Sequence, residues 1–412
     1  MFLSQVLSEG GTCRAVVRKF LAWLAIEEGK TASPDTAAYC KARARLRQED
    51  LDRAGAQVVE SIQASSKAER LWHGRRVKVV DGTGLSMPDT PENQALYPQS
   101  KGQKPGCGFP MMKLVALFGL GTGVMLSFAK GAKTLSERAL FRTLWNLLGP
   151  GDVVLADRGF CDYASVFLLA QRGVDCVMRN HHRRKTGVSQ LERFGKGDRL
   201  IQWHQSGVRP RWLDPDAWRA MPDRLTLREI RFRVEIPGFR TESVTVVSTL
   251  LDPEAFPKDA FVELYRRRWL AELFLRDIKT TLGMDILRCK TPGMIHKELT
   301  MHCIAYNLIR ALMLEAATQH GVPLDRLSFK GTVATVRQWA PVMAAARLGP
   351  AKRRRILNAL LEYIARDRLP HRPNRTEPRA VKRRPKNYQR LTKPRRLFKE
   401  SPHRNHYKKP LS

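Results

Sequence analysis

The spacing of apolar positions changes near residue 75. Before it, Cys13–Ile26 places apolar residues at helical intervals, which predicts an amphipathic helix. Ser33-Pro34 reads as an N-cap followed by a first-turn proline, opening a second helix through about Arg47. Asp35 suits the positive end of that helix, and Lys41, Arg43, Arg45 and Arg47 follow along it. Residues 1–70 are therefore a candidate helical DNA-binding domain, with a solvated amphipathic helix pair as the alternative.

After residue 75 the apolar runs shorten to strand length. Val77–Val80 predicts a strand ending in Asp81-Gly82, and a Gly/Pro-rich loop spans Ser100–Pro110. Met111–Gly119 and Val124–Ala129 predict a hairpin turning at Gly121-Thr122-Gly123. That turn lacks the G-x-G-x-x-G frame of a dinucleotide loop and joins two strands. A helix is expected over Ser136–Leu148 and a buried strand over Asp152–Ala156. A helix capped by Asp162 then runs to about Arg172, and a further strand covers Asp175–Arg179. The order β-β-β-α-β-α-β implies an α/β sheet with an antiparallel hairpin and parallel crossovers. Residues 183–250 break that rhythm: Leu225–Ile236 and Ser243–Thr249 alternate as strands, with Trp203, Trp212 and Trp218 interspersed, and read as a β-rich insertion. One long helix over Lys258–Leu282 and another over His296–Ala317 follow. The expected organisation is 1–70 helical, 71–182 and 251–320 the two parts of an α/β core, 183–250 the insertion, and 321–412 a helical region with a basic tail.

Charge narrows the function. The 412 residues carry 73 Lys+Arg against 39 Asp+Glu, a net +34. Half of that surplus, +17, lies in residues 351–412, in runs such as Lys352-Arg353-Arg354-Arg355 and Lys382-Arg383-Arg384 among prolines. A surplus of this size implies a polyanionic partner, most simply nucleic acid, and an extended basic arm along phosphates. The longest uncharged apolar stretch, Leu114 to Ala129, is short for a membrane span and is broken by glycines, so no membrane association is expected. Seven scattered cysteines, never in C-x-x-C spacing, argue against a disulfide framework or zinc ribbon and for a reducing cytoplasm. His181-His182 with Arg183, Arg184 and Lys185 reads as a basic loop rather than a metal site.

Three acids stand out. Asp81 and Asp157 each follow an apolar run and precede a glycine-containing turn, which puts them at the sheet edge where α/β sheets bind ligands. The third lies on the long helix. With Tyr265 at zero and about 100° per residue, Arg268, Glu272 and Lys279 fall within roughly 60° of it, whereas Glu263 and Asp277 point away. One carboxylate among cations on a narrow stripe suits metal binding beside a phosphate backbone. A salt-bridged surface helix would account for the charges, but not for a tyrosine in register with the acid.

The pattern Tyr265-x2-Arg268-x3-Glu272-x6-Lys279 resembles the Y-R-E-K signature of bacterial DDE transposases of the insertion sequence four family. Asp81-Gly82-Thr83-Gly84 and Asp157-Arg158-Gly159-Phe160 resemble that family's first and second Asp motifs. Gly108-Phe109-Pro110, Leu287-Arg288-Cys289-Lys290 and Ala305-Tyr306-Asn307-Leu308-Ile309-Arg310 are similar too. The resemblance spans roughly residues 70–400. It implies a ribonuclease-H-like core, a mixed sheet with flanking helices, interrupted by a β-rich insertion. It implies that Asp81, Asp157 and Glu272 are catalytic and hold two Mg²⁺ ions, with Mn²⁺ as a substitute, which agrees with their all-oxygen chemistry. Tyr265, Arg268 and Lys279 would bind the terminal DNA strand. A hairpin at the element end, and a base flipped onto an insertion-domain tryptophan, are further implications. The expected function is a transposase that binds inverted repeats at element ends and cleaves and transfers strands. Its partners would be double-stranded DNA and a second copy in a homodimer, and its place the nucleoid. The alternatives are a repurposed DNA-binding protein or a nuclease on the same scaffold.

Overall fold

The computed structural model describes residues 1–65, 70–181, 188–234, 242–344, 349–370 and 397. The basic tail beyond residue 370 and the His182–Lys185 part of the basic loop lie outside these residues.

The helices are α1 (Phe2–Leu7), α2 (Cys13–Glu28), α3 (Ala37–Arg45), α4 (Gln48–Ala64), α5 (Pro91–Leu96), α6 (Glu137–Arg142), α7 (Tyr163–Gln171), α8 (Pro215–Arg219), α9 (Lys258–Arg267), α10 (Trp269–Arg276), α11 (Pro292–His320), α12 (Phe329–Ala344) and α13 (Pro350–Arg366). The strands are β1 (Arg76–Ser86), β2 (Met111–Gly119), β3 (Met125–Ala132), β4 (Asp152–Ala156), β5 (Asp175–Arg179), β6 (Val188–Gly195), β7 (Asp198–His204), β8 (Arg224–Val234) and β9 (Glu242–Ser248). They form one mixed sheet in the order β3-β2-β1-β4-β5-β9-β8-β7-β6. β4 and β5 run parallel to β1, and every other pairing is antiparallel. The strands of the expected insertion thus continue the sheet outward from β5. No helix among the described residues is long and apolar enough to cross a membrane. The seven cysteines are free thiols.

Alternation along the central strands sorts the core into two layers. Val79, Val153 and Leu155 face α10 and α11, where Phe118, Phe274 and Tyr306 pack. Val80, Val154 and Ala156 face α6 and α7 on the other side. The hairpin β2–β3 is fixed by α11. Asn307 exchanges two hydrogen bonds with the Met125 backbone, both 2.9 Å. Tyr306 donates to the Gly123 carbonyl at 2.6 Å, and Arg310 donates twice to the Thr122 carbonyl. Gly123, at φ +69°, has the left-handed backbone that favours glycine, and a Cβ there would run into the Arg310 guanidinium.

Three local expectations need correction. The helix expected from Ser33 begins at Ala37. Ser33 Oγ instead accepts from the Asp35 N–H and Asp35 from the Ala37 N–H, so both side chains stabilise turns ahead of the helix. The first strand does not stop at Val80: β1 continues to Ser86 because β2 pairs with it over that whole stretch. The helix expected over Lys258–Leu282 is divided at Arg268 into α9 and α10 and ends in a π turn over Asp277–Thr281.

His302 on α11 is buried at the floor of a cavity of about 540 Å³. Its Nδ1 has no hydrogen-bond partner among the described residues. Burial, and then the charge of Arg288, push its pKa down to about 4. An unfolded chain takes up this proton near the ordinary histidine value, and the folded chain refuses it until about pH 4. Stability is therefore lost as pH falls through that window, by at most about 3 kcal/mol. Arg288, Glu298, Glu9, Lys330 and Arg337 line the same cavity and set the field at the ring. We expect His302→Gln to flatten the acid limb of a melting-temperature profile between pH 6.5 and 4.5. A limb of unchanged steepness would refute this.

Candidate active site

Two strands position the first two acids. β1 and β4 are parallel, with Val79 opposite Leu155. That pairing ends two residues before Asp81 on one strand and two before Asp157 on the other. Asp81, inside β1, alternates onto the face of Val79, which is the face covered by α10. Asp81 lies inside β1, just past the end of its pairing with β4. Asp157 follows the last residue of β4, and its Oδ1 accepts the Arg158 N–H at 2.6 Å.

The third acid comes from above the sheet. Glu272, in the first turn of α10, accepts from Arg268 at 2.9 Å. Arg268 is the centre of the arrangement: its charge acts on Asp81, and the charges of Asp157 and Glu272 act on it. Burial opposes the Arg268 charge most strongly of any single influence. Tyr265, Glu272 and Asp157 together outweigh it, so its pKa is raised. The Asp81 carboxyl is pushed up to about 6, chiefly by burial. The Gly82 N–H and Arg268 pull it down, and Glu272 and Glu137 push it further up.

Tyr265, Arg268, Glu272 and Lys279 stay on one side of the helix despite its division. Tyr265 is 8% exposed and packs on Phe232 at 6.2 Å, so only the region of its hydroxyl is open to a ligand. Burial pushes its pKa up to about 12, with Asp157 adding to the rise and Arg268 and Arg179 opposing it. Lys279 sits in the π turn, a helix irregularity frequent at functional sites, and donates to Thr83 Oγ1 at 2.8 Å. Asp277, which the wheel turned away, pairs with Arg276 at 3.5 Å on another side.

Three neighbours were not singled out from sequence. Thr83 shares the strand face of Asp81 two residues on, a signal available once β1 is extended. Arg179 at the end of β5 reaches the field of Tyr265. Glu137 packs against Gly82 from the opposite sheet face, where a Cβ would lie 2.6 Å from its carboxyl carbon. Of the three tryptophans, Trp203 is buried against Tyr163 and Trp218 is partly buried beside it. Trp212 is 39% exposed, at a cavity of about 830 Å³, with the Arg142 guanidinium 4.0 Å from its ring centre.

The acids offer oxygen ligands only, the donor chemistry of Mg²⁺ or Mn²⁺. As they stand, no three His, Cys, Asp or Glu side chains among the described residues are grouped to hold an ion.

Residues 72–308 match the sequence profile of the family described as Transposase DDE domain. The chain belongs to that family. It is a transposase of the insertion sequence four type, and 26% of 348 aligned residues are identical to Transposase InsG for insertion sequence element IS4 of Escherichia coli (strain K12). That alignment covers 82% of this transposase and 76% of the relative. Among solved structures, the piggyBac transposase synaptic complex with hairpin DNA aligns with a TM-score of 0.39 and 9% identity, over 70% of this chain and 57% of that one.

Proposed function

We propose that this transposase cuts and joins DNA at the ends of its element, using Asp81, Asp157 and Glu272 as metal-holding catalytic acids. The observation that carries this reading is the Arg268 guanidinium, which pairs with Glu272 at 2.9 Å and interacts through its charge with both Asp81 and Asp157. A ribonuclease-H-like core is supported by the order β3-β2-β1-β4-β5, antiparallel on one side of β1 and parallel on the other.

In this reading Arg268 releases Glu272 and turns its fork to a phosphate of the bound strand. Lys279 leaves Thr83 and supplies a point charge to the same strand, and the Tyr265 hydroxyl donates beside them. Asp81, Asp157 and Glu272 would hold two Mg²⁺ ions. When bound, these ions polarise the scissile phosphate, activate the attacking oxygen and stabilise the leaving one. Water attacks first and frees a 3′-hydroxyl at the element end; that hydroxyl then attacks a second phosphodiester. Each exchange breaks one P–O bond and makes another, so the protein forms no covalent intermediate. The helical residues 1–70 contact element-end DNA, and two copies act on paired ends.

The test uses the purified chain, Mg²⁺ and a duplex carrying the inverted repeats that bracket its gene. The expected products are 3′-hydroxyl ends and strand-transfer joints. Cutting without joining would assign a nuclease instead.

Trp212, the most exposed of the three tryptophans, is the candidate to stack a flipped base, displacing Arg142 from its ring. Base–aromatic stacking contributes about 1–3 kcal/mol. Trp212→Ala is expected to weaken binding of a hairpin-ended duplex about five- to hundredfold while sparing blunt duplex binding. Equal affinity for both ends in wild type and variant would remove Trp212 from this role.

A further inference from the structure

The 540 Å³ cavity above His302 is lined by none of the three acids and lies between α1, α11, α12 and the end of the π turn that carries Lys279. Its lining is rich in donors. Lys330 and Arg337, seven residues apart on α12, share one helix face, and Arg288 approaches from the segment before α11. Arg288 donates to the Gly10 carbonyl and Arg337 Nε to the Leu7 carbonyl, so backbone atoms of the N-terminal region hold both guanidinium groups in place. The terminal nitrogens of Arg337 and the Lys330 ammonium have no partner among the described residues. The Thr280 and Thr281 side chains complete the rim.

The acids of the cavity do not answer these cations. Both Glu298 oxygens accept backbone N–H groups, from Arg288 and Cys289, all at 3.0 Å. Glu9 is exposed. At the floor, the buried His302 ring lines the cavity, and its Nδ1 has no partner among the described residues, which makes it a polar atom costly to leave unmatched. Converging cations, hydroxyls and an unmatched imidazole nitrogen share one complementary ligand: a multi-oxygen anion.

We propose that this cavity is a phosphate site, with Lys330, Arg337 and Arg288 as charge donors and His302 as the buried contact. The phosphate belongs either to a free anion or to a DNA backbone. Because α1 supplies one wall and the end of the catalytic helix another, occupancy ties the N-terminal helices to the segment carrying Lys279. The proposal stands apart from the metal-holding acids.

The experiment follows the His302 ring signals in the full-length, ¹⁵N-histidine-labelled chain, assigned by their loss in His302→Gln. Inorganic phosphate is titrated against sodium chloride of equal ionic strength, and a random-sequence duplex is titrated separately. A saturable shift with phosphate is expected for a free-anion site, and a shift with duplex alone for a backbone site; either supports the proposal. Lys330→Ala removes an exposed side chain and is expected to weaken the response about ten- to hundredfold, with Arg337→Ala as the second variant. Still His302 signals with both ligands, or an undiminished response in both variants, overturn the proposal.

Discussion

Glu272→Gln is expected to lower divalent-metal-dependent cleavage of an element-end duplex by about 10³-fold or more, while duplex binding holds or tightens. The substitution keeps the shape and the Arg268 hydrogen bond but removes the negative oxygen. Several kcal/mol of transition-state charge stabilisation depend on the ions that this oxygen would hold, and each 1.4 kcal/mol is tenfold in rate. Binding moves the other way because carboxylates near phosphate repel it. Glu263→Gln, nine residues upstream on another side of the helix, serves as the control and leaves cleavage unchanged. Cleavage and gel-shift titrations on one preparation separate the two effects. An active Glu272→Gln enzyme would remove Glu272 from the site.

Arg228→Met is expected to destabilise the fold by about 3–5 kcal/mol. Arg228 is 0% exposed, pairs through two nitrogens with Asp198 at 2.6 and 2.8 Å, and donates to the carbonyls of Asp252 and Phe256. The last two bonds tie β8 to the segment that launches α9, so this residue fixes the outer sheet against the helices that carry Tyr265 and Glu272. Removing it leaves Asp198 buried and unpaired and takes a donor from two carbonyls, of which that of Asp252 still accepts from the Phe256 N–H at 3.2 Å. Replacing both partners, Arg228→Met with Asp198→Leu, is expected to recover much of the loss, because two apolar groups strand no charge. Denaturant unfolding of the three proteins measures it. A single variant within about 1 kcal/mol of wild type would contradict the pairing.

Much of the core was legible because strand and helix periods differ. Asp152–Ala156 and Asp175–Arg179 are strands at the expected residues, and Asp162 caps α7 as its position ahead of the helix suggests. The wheel put Arg268 and Glu272 on one side of the helix, and they pair at 2.9 Å, while Lys279 beyond the π turn reaches Thr83 on β1. What sequence could not give was pairing. The length of β1 depends on β2, some thirty residues later, and the continuation of the sheet through β9 depends on contacts with β5. Ser33-Pro34 misled because the same serine and aspartate oxygens that cap helices also stabilise turns. The role of Tyr306, Asn307 and Arg310 in holding the β2–β3 turn was equally invisible, since their partners are backbone atoms nearly two hundred residues away.

The central claim is that Asp81, Asp157 and Glu272 close around metal ions once Arg268 yields to DNA. Anomalous scattering from crystals of the transposase grown with an element-end duplex and Mn²⁺ tests it most directly. The account predicts two manganese peaks bounded by oxygens of those three side chains, with the Arg268 guanidinium moved onto a phosphate. Manganese bound elsewhere, with Arg268 still paired to Glu272 beside the bound duplex, would contradict it.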